Sequence, residues 1–337
     1  MKSGERFAML DGWRGISILL VLAAHLLPLG PKPWHLNVGV GLLGMVFFFV
    51  LSGFLVTHFL LNNQYGVKDF LIRRLFRILP LAWAYMGLVF LIYPVPDGAM
   101  PAHFLFYANY PPKPLIPVTD HLWSLCVEMH FYLGVALLVA SLGKRGLLLI
   151  PVLCLVFTLL RVGYEAHYSV ITHLRVDEIL AGATLALVYN GRLGGRRMEW
   201  GLRFALQPAL FPLLLLLLLV SSHPDSGFMN YFRPYLAAAA VGSTLFNPRT
   251  RVAEFLDNPI LRYIAAISYA LYVYHFFLAD TWLGSGEKFE KYAKRPLLFA
   301  ALFVTAHFST FYYERKWIAL GKRLSQKPKT GGVYELK

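Results

Sequence analysis

Arg14 and His25 stand eleven residues apart in the stretch LDGWRGISILLVLAAH. On an α-helix that spacing leaves a net rotation of about 20° and an axial separation of about 16 Å. The guanidinium and the imidazole therefore share a face but cannot act on one atom. Arginine binds phosphates through charge-assisted hydrogen bonds, and histidine suits general-base chemistry near neutral pH. An interfacial anchor followed by a structural histidine is the plainer reading of the same pair. In DHLWSLCVEMHFYL, His121 and Glu128 are seven apart and face one way, with the carboxylate about 10 Å further along the helix. A buried carboxylate needs a partner or a proton, and comparable depth predicts His25 as that partner. The cluster DFLIRRLFRILP presents Arg73, Arg74 and Arg77 before Pro80, which is expected to start or bend the next helix. Arg73 and Arg77 share a face, as a phosphate clamp or as plain topogenic charge. Ser52 and Gly53 in FFFVLSGFLVTHFLL permit close helix approach. ISYALYVYH sets Ser268, Tyr272 and His275 on one helix, and Glu314 falls at an inner boundary. Ser52, Trp123, Ser124, Tyr272 and His275 are candidate oxyanion or substrate contacts. Hydroxyls in such segments also serve to tie neighbouring helices together.

The elements that must hold these groups are hydrophobic. The 337 residues are 57% hydrophobic and only 15% charged, with a mean hydropathy of +0.55, whereas soluble domains run near ~25% charged. That composition argues against an ordinary soluble enzyme. The formal charge of +14 sits between apolar blocks, so nucleic acid is not an expected partner. Cys126 and Cys154 both fall in apolar segments without zinc-like spacing; no disulfide framework is indicated, and no metal is expected.

The apolar blocks predict an all-α polytopic transmembrane bundle of about ten helices, near 12–30, 39–61, 78–94, 122–141, 146–161, 175–190, 205–222, 232–247, 262–281 and 296–314. The third, fifth and sixth are the weakest against the ~20 residues needed to cross hydrocarbon. The first block follows Lys2, Arg6 and Arg14 without a small-residue cleavage pattern and reads as a retained helix. With both termini cytoplasmic, 23 of the 32 basic residues fall inside, the expected bias. They include Lys68, Lys144, Arg145, Arg192, Arg196, Arg197, Arg203, Arg249, Arg251 and Arg262; the segment 286–295 is the exception. The proline-rich segment near 95–121 is external, its aromatics set either over a site mouth or on a bland surface. Residues 325–337 read as a short disordered cytoplasmic tail, leaving 1–324 as one membrane-embedded domain.

Seven segments in order, LDGWRGISILLVLAAH, FFFVLSGFLVTHFL, FLIRRLFRILP, HLWSLCVEMHFYL, RVDEILAGATLAL, ISYALYVYHF and FYYERKWIALGKRL, resemble the acyltransferase 3 family of integral membrane O-acyltransferases over nearly the whole chain. The resemblance implies transfer of an acyl group, commonly acetyl, from cytoplasmic acyl-CoA to a hydroxyl of a cell-envelope glycan or lipid-linked saccharide. It implies His25 and Glu128 as catalytic residues, with His25 as general base and Glu128 orienting it. Arg14, Arg73, Arg74 and Arg77 would be the donor-binding residues, and the bacterial cytoplasmic membrane the location, with membrane lipids as surroundings. The family's tryptophan-serine-glutamate element falls on Trp123, Ser124 and Glu128. Met129 and His130 depart from the usual continuation after that glutamate, and Arg315 and Lys316 follow Glu314 without the usual proline. The departure at Met129 and His130, with Glu128 retained, bears on acceptor choice rather than on activity. A soluble esterase-like domain of the kind carried by larger relatives is not expected in this bare membrane module.

A transporter or flippase of a lipid-linked sugar, using intramembrane histidine and glutamate, is the competing class. Inverted repeats or paired broken helices would mark it, and the sequence presents neither.

Overall fold

The structure, a computed structural model, describes residues 7–62, 66–112, 114–193 and 206–325. The sequence readings at Lys2, Arg6, Arg196, Arg197, Arg203 and along 326–337 lie outside the described residues. In chain order the helices are α1 (Ala8–Leu26), α2 (Leu36–Asn62), α3 (Val67–Ile92), α4 (Ala99–Phe104), α5 (Trp123–Leu142), α6 (Ile150–Gly163), α7 (Asp177–Tyr189), α8 (Phe211–Ser222) and α9 (Arg233–Phe246). They continue with α10 (Arg251–Leu256), α11 (Pro259–Asp280), α12 (Lys288–Ala293), α13 (Arg295–Phe308) and α14 (Arg315–Leu324). A π-turn, Ser309–Glu314, joins the last two.

The architecture is an all-α bundle of a polytopic membrane protein. Among the described residues, six helical stretches are long and apolar enough to cross a bilayer: Ala8–Leu26, Lys32–Asn62, Val67–Ile92, Asp120–Gly163, Pro259–Asp280 and Arg295–Leu324. Asp120–Gly163 holds two of the ten expected spans. The helices at the fifth to eighth expected spans have 14, 13, 12 and 14 residues, short of a straight crossing.

One expectation is corrected in α3. This helix runs 26 residues from Val67 to Ile92 with Pro80 inside it, so the third span is neither short nor begun by the proline. Pro80 removes one backbone donor, which an apolar helix packed on neighbours tolerates. The hydroxyls of Tyr269 and Tyr313 donate to the Ile78 and Pro80 carbonyls at 2.8 and 3.1 Å. Arg73, Arg74 and Arg77 consequently ride on this helix rather than on a loop before it.

The centre is built by close approach. Helix α1 packs between α2 and α11, and α2 also lies along α7. At the α2–α7 crossing, a Cβ on Gly53 would strike the Ile179 carbonyl and one on Gly182 the Val50 carbonyl, so both helices need glycine there. Ser17 Oγ donates to the Gly44 carbonyl at 2.7 Å, and Trp13 Nε1 to Thr244 Oγ1 at 3.0 Å. These contacts fix the rotation of α1, and with it the directions of Arg14 and His25.

Candidate active site

Three cavities follow one another through the bundle. The first, which a cytoplasmic placement of both termini would make the innermost, has about 150 Å³ and is lined by Phe59, Phe70, Arg73, Arg74, Arg77, Ile318 and Lys322. It shares Arg74 and Arg77 with a narrow throat of about 40 Å³, whose walls also include Arg14, Phe48, Ser52, Glu128, Tyr132 and Tyr269. At the opposite end of α1, a chamber of about 280 Å³ is bordered by His25, Asn37, Asp120, His121, Trp123, Tyr272 and Phe276, with an apolar flank from Ala24, Gly41, Leu42 and Met45. The rings of Phe48 and Tyr272, stacked at 6.3 Å, stand between throat and chamber.

Hydrogen-bond chemistry fixes the histidine tautomers. His275 Nδ1 lies 2.6 Å from the Tyr272 carbonyl, which only accepts, so this nitrogen carries the proton. Neutral His275 then has its lone pair on Nε2, 3.0 Å from His25 Nδ1. His25 must donate there, and its Nε2 is left with a lone pair. A backbone carbonyl thus determines, through one intervening ring, which nitrogen of His25 can accept a proton. His121 Nε2 faces the Val273 carbonyl at 3.2 Å, and its ring centroid is 4.8 Å from that of His275.

Glu128 is not the partner of His25, which corrects the pairing inferred from depth. Its Oε1 accepts from Ser52 Oγ and from Tyr132 Oη, the latter at 2.5 Å, in the throat with Arg14. Helical rise sets how deep a group lies, but lateral packing turned this carboxylate toward α2 and its own helix. His121 belongs to the turn Asp120–Leu122 that precedes α5 and faces the chamber instead.

The candidate contact residues separate by what their polar hydrogens do. Ser52 donates to Glu128. Tyr272 Oη donates to the His121 carbonyl, so Ser124 Oγ, 2.7 Å away, donates to Tyr272. His275 donates to a carbonyl. Trp123 lines the chamber, and among the described residues its indole N–H makes no hydrogen bond. Asn37, also in the chamber wall, donates to the Ala24 and Leu27 carbonyls at 2.6 and 2.7 Å.

Arginines divide in the same way. Among the described residues, Arg14, Arg74 and Arg77 form no ion pair; Arg14 lines the throat together with Arg74, Arg77 and Glu128, and Arg74 sits 5.5 Å from the Tyr132 ring centre. A second cluster was not singled out from the sequence. Arg161 meets Asp177 at 2.5 Å, and Glu178 pairs with Arg233 at 3.0 Å and Arg175 at 3.3 Å. Arg175 also lies over the Trp123 ring at 5.4 Å. The signal available in sequence was the rarity of intramembrane charge at 161 and 175–178.

The proline-rich segment near 95–121 contributes Asp120 and His121 to the chamber, while Trp123, Tyr272 and Phe276 line it rather than the segment's phenylalanines and tyrosines. His130 bonds Thr172 Oγ1 at 2.7 Å beside Tyr110, outside all three cavities. Cys126 and Cys154 are buried free thiols.

These features define a polytopic membrane protein with a line of cavities through its core, each bordered by charged or polar side chains set among apolar ones. The chain belongs to the acyltransferase family described as "Acyltransferase domain", which matches residues 7–317. It is similar to the "Peptidoglycan O-acetyltransferase OatA" of Listeria monocytogenes, 27% identical over 317 residues that cover 79% of this chain and 48% of that protein. It is also similar to the "Putative peptidoglycan O-acetyltransferase YrhL" of Bacillus subtilis, 26% identical over 322 residues covering 79% and 48%. The "Putative O-acetyltransferase" of Staphylococcus aureus (strain COL) is 26% identical over 309 residues covering 79% and 50%. The chain spans about half the length of these curated relatives. No solved structure matches it.

Proposed function

We propose that this chain is a bacterial membrane O-acyltransferase that moves an acyl group, acetyl in the first instance, from cytoplasmic acyl-CoA to a hydroxyl of an envelope glycan or lipid-linked saccharide. The observation that carries the reading is the division of α1: Arg14 borders a throat with Arg74 and Arg77, none of which forms an ion pair among the described residues, and His25 borders a chamber at the other end. The family and its relatives support acyl transfer. A ten-crossing topology with both termini cytoplasmic, in the cytoplasmic membrane, puts the arginines on the donor side.

Arg74 and Arg77 border an innermost cavity whose described lining holds no carboxylate, and Arg14 joins them in the throat that Glu128 also lines; three guanidinium groups so placed are the chemistry a phosphate-bearing donor requires. The donor's extended arm would cover the ~16 Å from Arg14 to His25 given by helical rise, passing Phe48 and Tyr272. His25 Nε2 takes the proton of the acceptor hydroxyl as that oxygen attacks the thioester carbonyl, and the C–S bond breaks to release the thiolate. His275 Nε2, accepting from His25 Nδ1, supports the imidazolium as it forms. Glu128, bonded to Ser52 and Tyr132, acts on the throat side by holding α2 and α5 together beside Arg14. Trp123 has a free N–H to offer a carbonyl oxygen that gains charge.

Mass spectrometry of envelope glycans and lipids from cells with the intact gene, a deletion or His25→Ala, at equal membrane abundance, tests the reading. One acyl ester is expected to vanish in both altered strains and thereby to name the acceptor. Its persistence in His25→Ala would remove the general-base assignment, and no change in either strain would favour a transporter.

A further inference from the structure

We infer that the terminal helix α14 forms a wall of the donor's phosphate site and that Lys322 binds the nucleotide phosphates of acyl-CoA. The inference rests on the acyl-CoA reading above and adds a residue from the far end of the chain, outside the family's arginine cluster.

Ile318 and Lys322 are four residues apart and so share one face of α14. That face closes the innermost cavity opposite Arg73, Arg74 and Arg77. The helix is held there by several independent contacts. A Cβ on Gly321 would lie 2.5 Å from Phe76 Cβ, so glycine is what permits α14 to approach α3. Arg73 Nε donates to Ser325 Oγ at 2.8 Å, and Ser325 Oγ donates to the Lys322 carbonyl at 3.0 Å. Trp317 and Phe76 have ring centres 6.5 Å apart.

Four cationic side chains thus border one cavity of about 150 Å³ whose lining, among the described residues, contains no carboxylate. Repulsion among Arg74, Arg77 and Lys322, which form no ion pair among the described residues, is unfavourable without a polyanion. Phe59, Phe70 and Ile318 supply an apolar shelf in the same cavity. A ligand with clustered phosphates and a flat heterocycle satisfies both surfaces, as the nucleotide end of coenzyme A does. Phosphate could also come from an anionic lipid headgroup, and the experiment separates the two.

The full-length protein is placed in nanodiscs of phosphatidylcholine or of phosphatidylglycerol, and binding of coenzyme A and of pantetheine is measured by calorimetry. Lys322→Gln should raise the Kd for coenzyme A about tenfold, the loss of one charge-assisted hydrogen bond, in both lipids. Binding of pantetheine, which lacks the nucleotide, should not change, and Lys322→Arg should restore coenzyme A affinity. Gly321→Leu, which pushes α14 off Phe76, should weaken coenzyme A binding without altering Lys322. An unchanged Kd in Lys322→Gln overturns the inference, as does equal weakening for pantetheine. An effect confined to phosphatidylglycerol assigns Lys322 to lipid instead. If the unaltered protein binds coenzyme A and only the Lys322 effect is missing, this inference fails alone; if the unaltered protein binds no coenzyme A, the acyl-CoA reading fails with it.

Discussion

Two groups of arginines lie in this bundle, and they differ in what satisfies them. Arg161, Arg175 and Arg233 are fully or almost fully buried and face Asp177 and Glu178 within 2.5 to 3.3 Å. Arg161 adds the His167 carbonyl at 3.0 Å, and Arg233 adds Asn230 at 3.2 Å. Arg14, Arg74 and Arg77 have no such ion pair among the described residues and border cavities instead. Charge inside a membrane protein is costly unless compensated. The first group is compensated by the fold and belongs to its stability; the second leaves compensation to something that enters. The histidines repeat the pattern, since the polar capacity of His275 is used within the protein while His25 ends with an uncommitted nitrogen.

The largest expected effect tests the compensated group. Asp177→Ala strands Arg161 without its carboxylate and should destabilise the protein by about 3–5 kcal/mol, read as a large fall in thermal unfolding temperature in detergent. Arg77→Gln should leave that temperature unchanged, and equal destabilisation by the two would erase the distinction between the clusters.

Next comes the histidine relay. His275→Leu removes the acceptor for His25 Nδ1 and should lower kcat about a hundredfold with coenzyme A affinity intact. His275→Gln offers an amide oxygen near the same place and should recover much of that loss, which a merely packing role for His275 would not predict. Equal rates for the leucine and glutamine variants would rule the relay out.

A smaller change is expected at the open cluster. Arg77→Gln should raise the Kd for coenzyme A about tenfold or somewhat more, the range for hydrogen bonds to charged groups, with kcat less affected. Loss of kcat at constant affinity would move Arg77 from donor binding to chemistry.

The smallest effect lies outside the membrane helices. His103 in α4 is buried, with Nδ1 2.8 Å from the Ala99 carbonyl and Nε2 2.8 Å from Thr119 Oγ1. Burial lowers its proton affinity below the ordinary value, so the unfolded segment binds a proton more readily than the folded one. Its stabilisation is therefore complete above about pH 6.5 and is lost as pH falls through that value toward the folded one. Protection factors along 99–119, that is, exchange rates referred to the intrinsic rate at each pH, should fall on acidification in the unaltered protein and not in His103→Gln; identical pH profiles of protection would refute this.

Particular residues mark how far the sequence could be read. Arg14 and His25 on one face followed from helical period alone, and the structure sets them in the throat and the chamber. The membrane class followed from composition, since long apolar stretches with few charges have no other stable environment. The length of α3 did not follow, because local rules give Pro80 a helix-starting role, whereas packing against α5, α11 and α14 carries the helix through it. Nor did the pairing of Arg161, Asp177, Glu178 and Arg233: charge within apolar segments was a signal in the sequence, but which charge meets which is set only where the helices pack.

The chain by itself determined an all-α membrane protein, the depth of each polar group along its helix and the family to which it belongs. Rise and rotation per residue are properties of the backbone, so spacing encodes them directly. Only the tertiary structure decided that His25 meets His275 across 250 positions, that Glu128 turns to Ser52 and Tyr132, and that Lys322 closes the arginine cavity. Lateral neighbours are chosen by shape, through contacts such as Gly53 against Ile179 and Gly321 against Phe76, and that choice is a property of the assembled bundle rather than of any one helix.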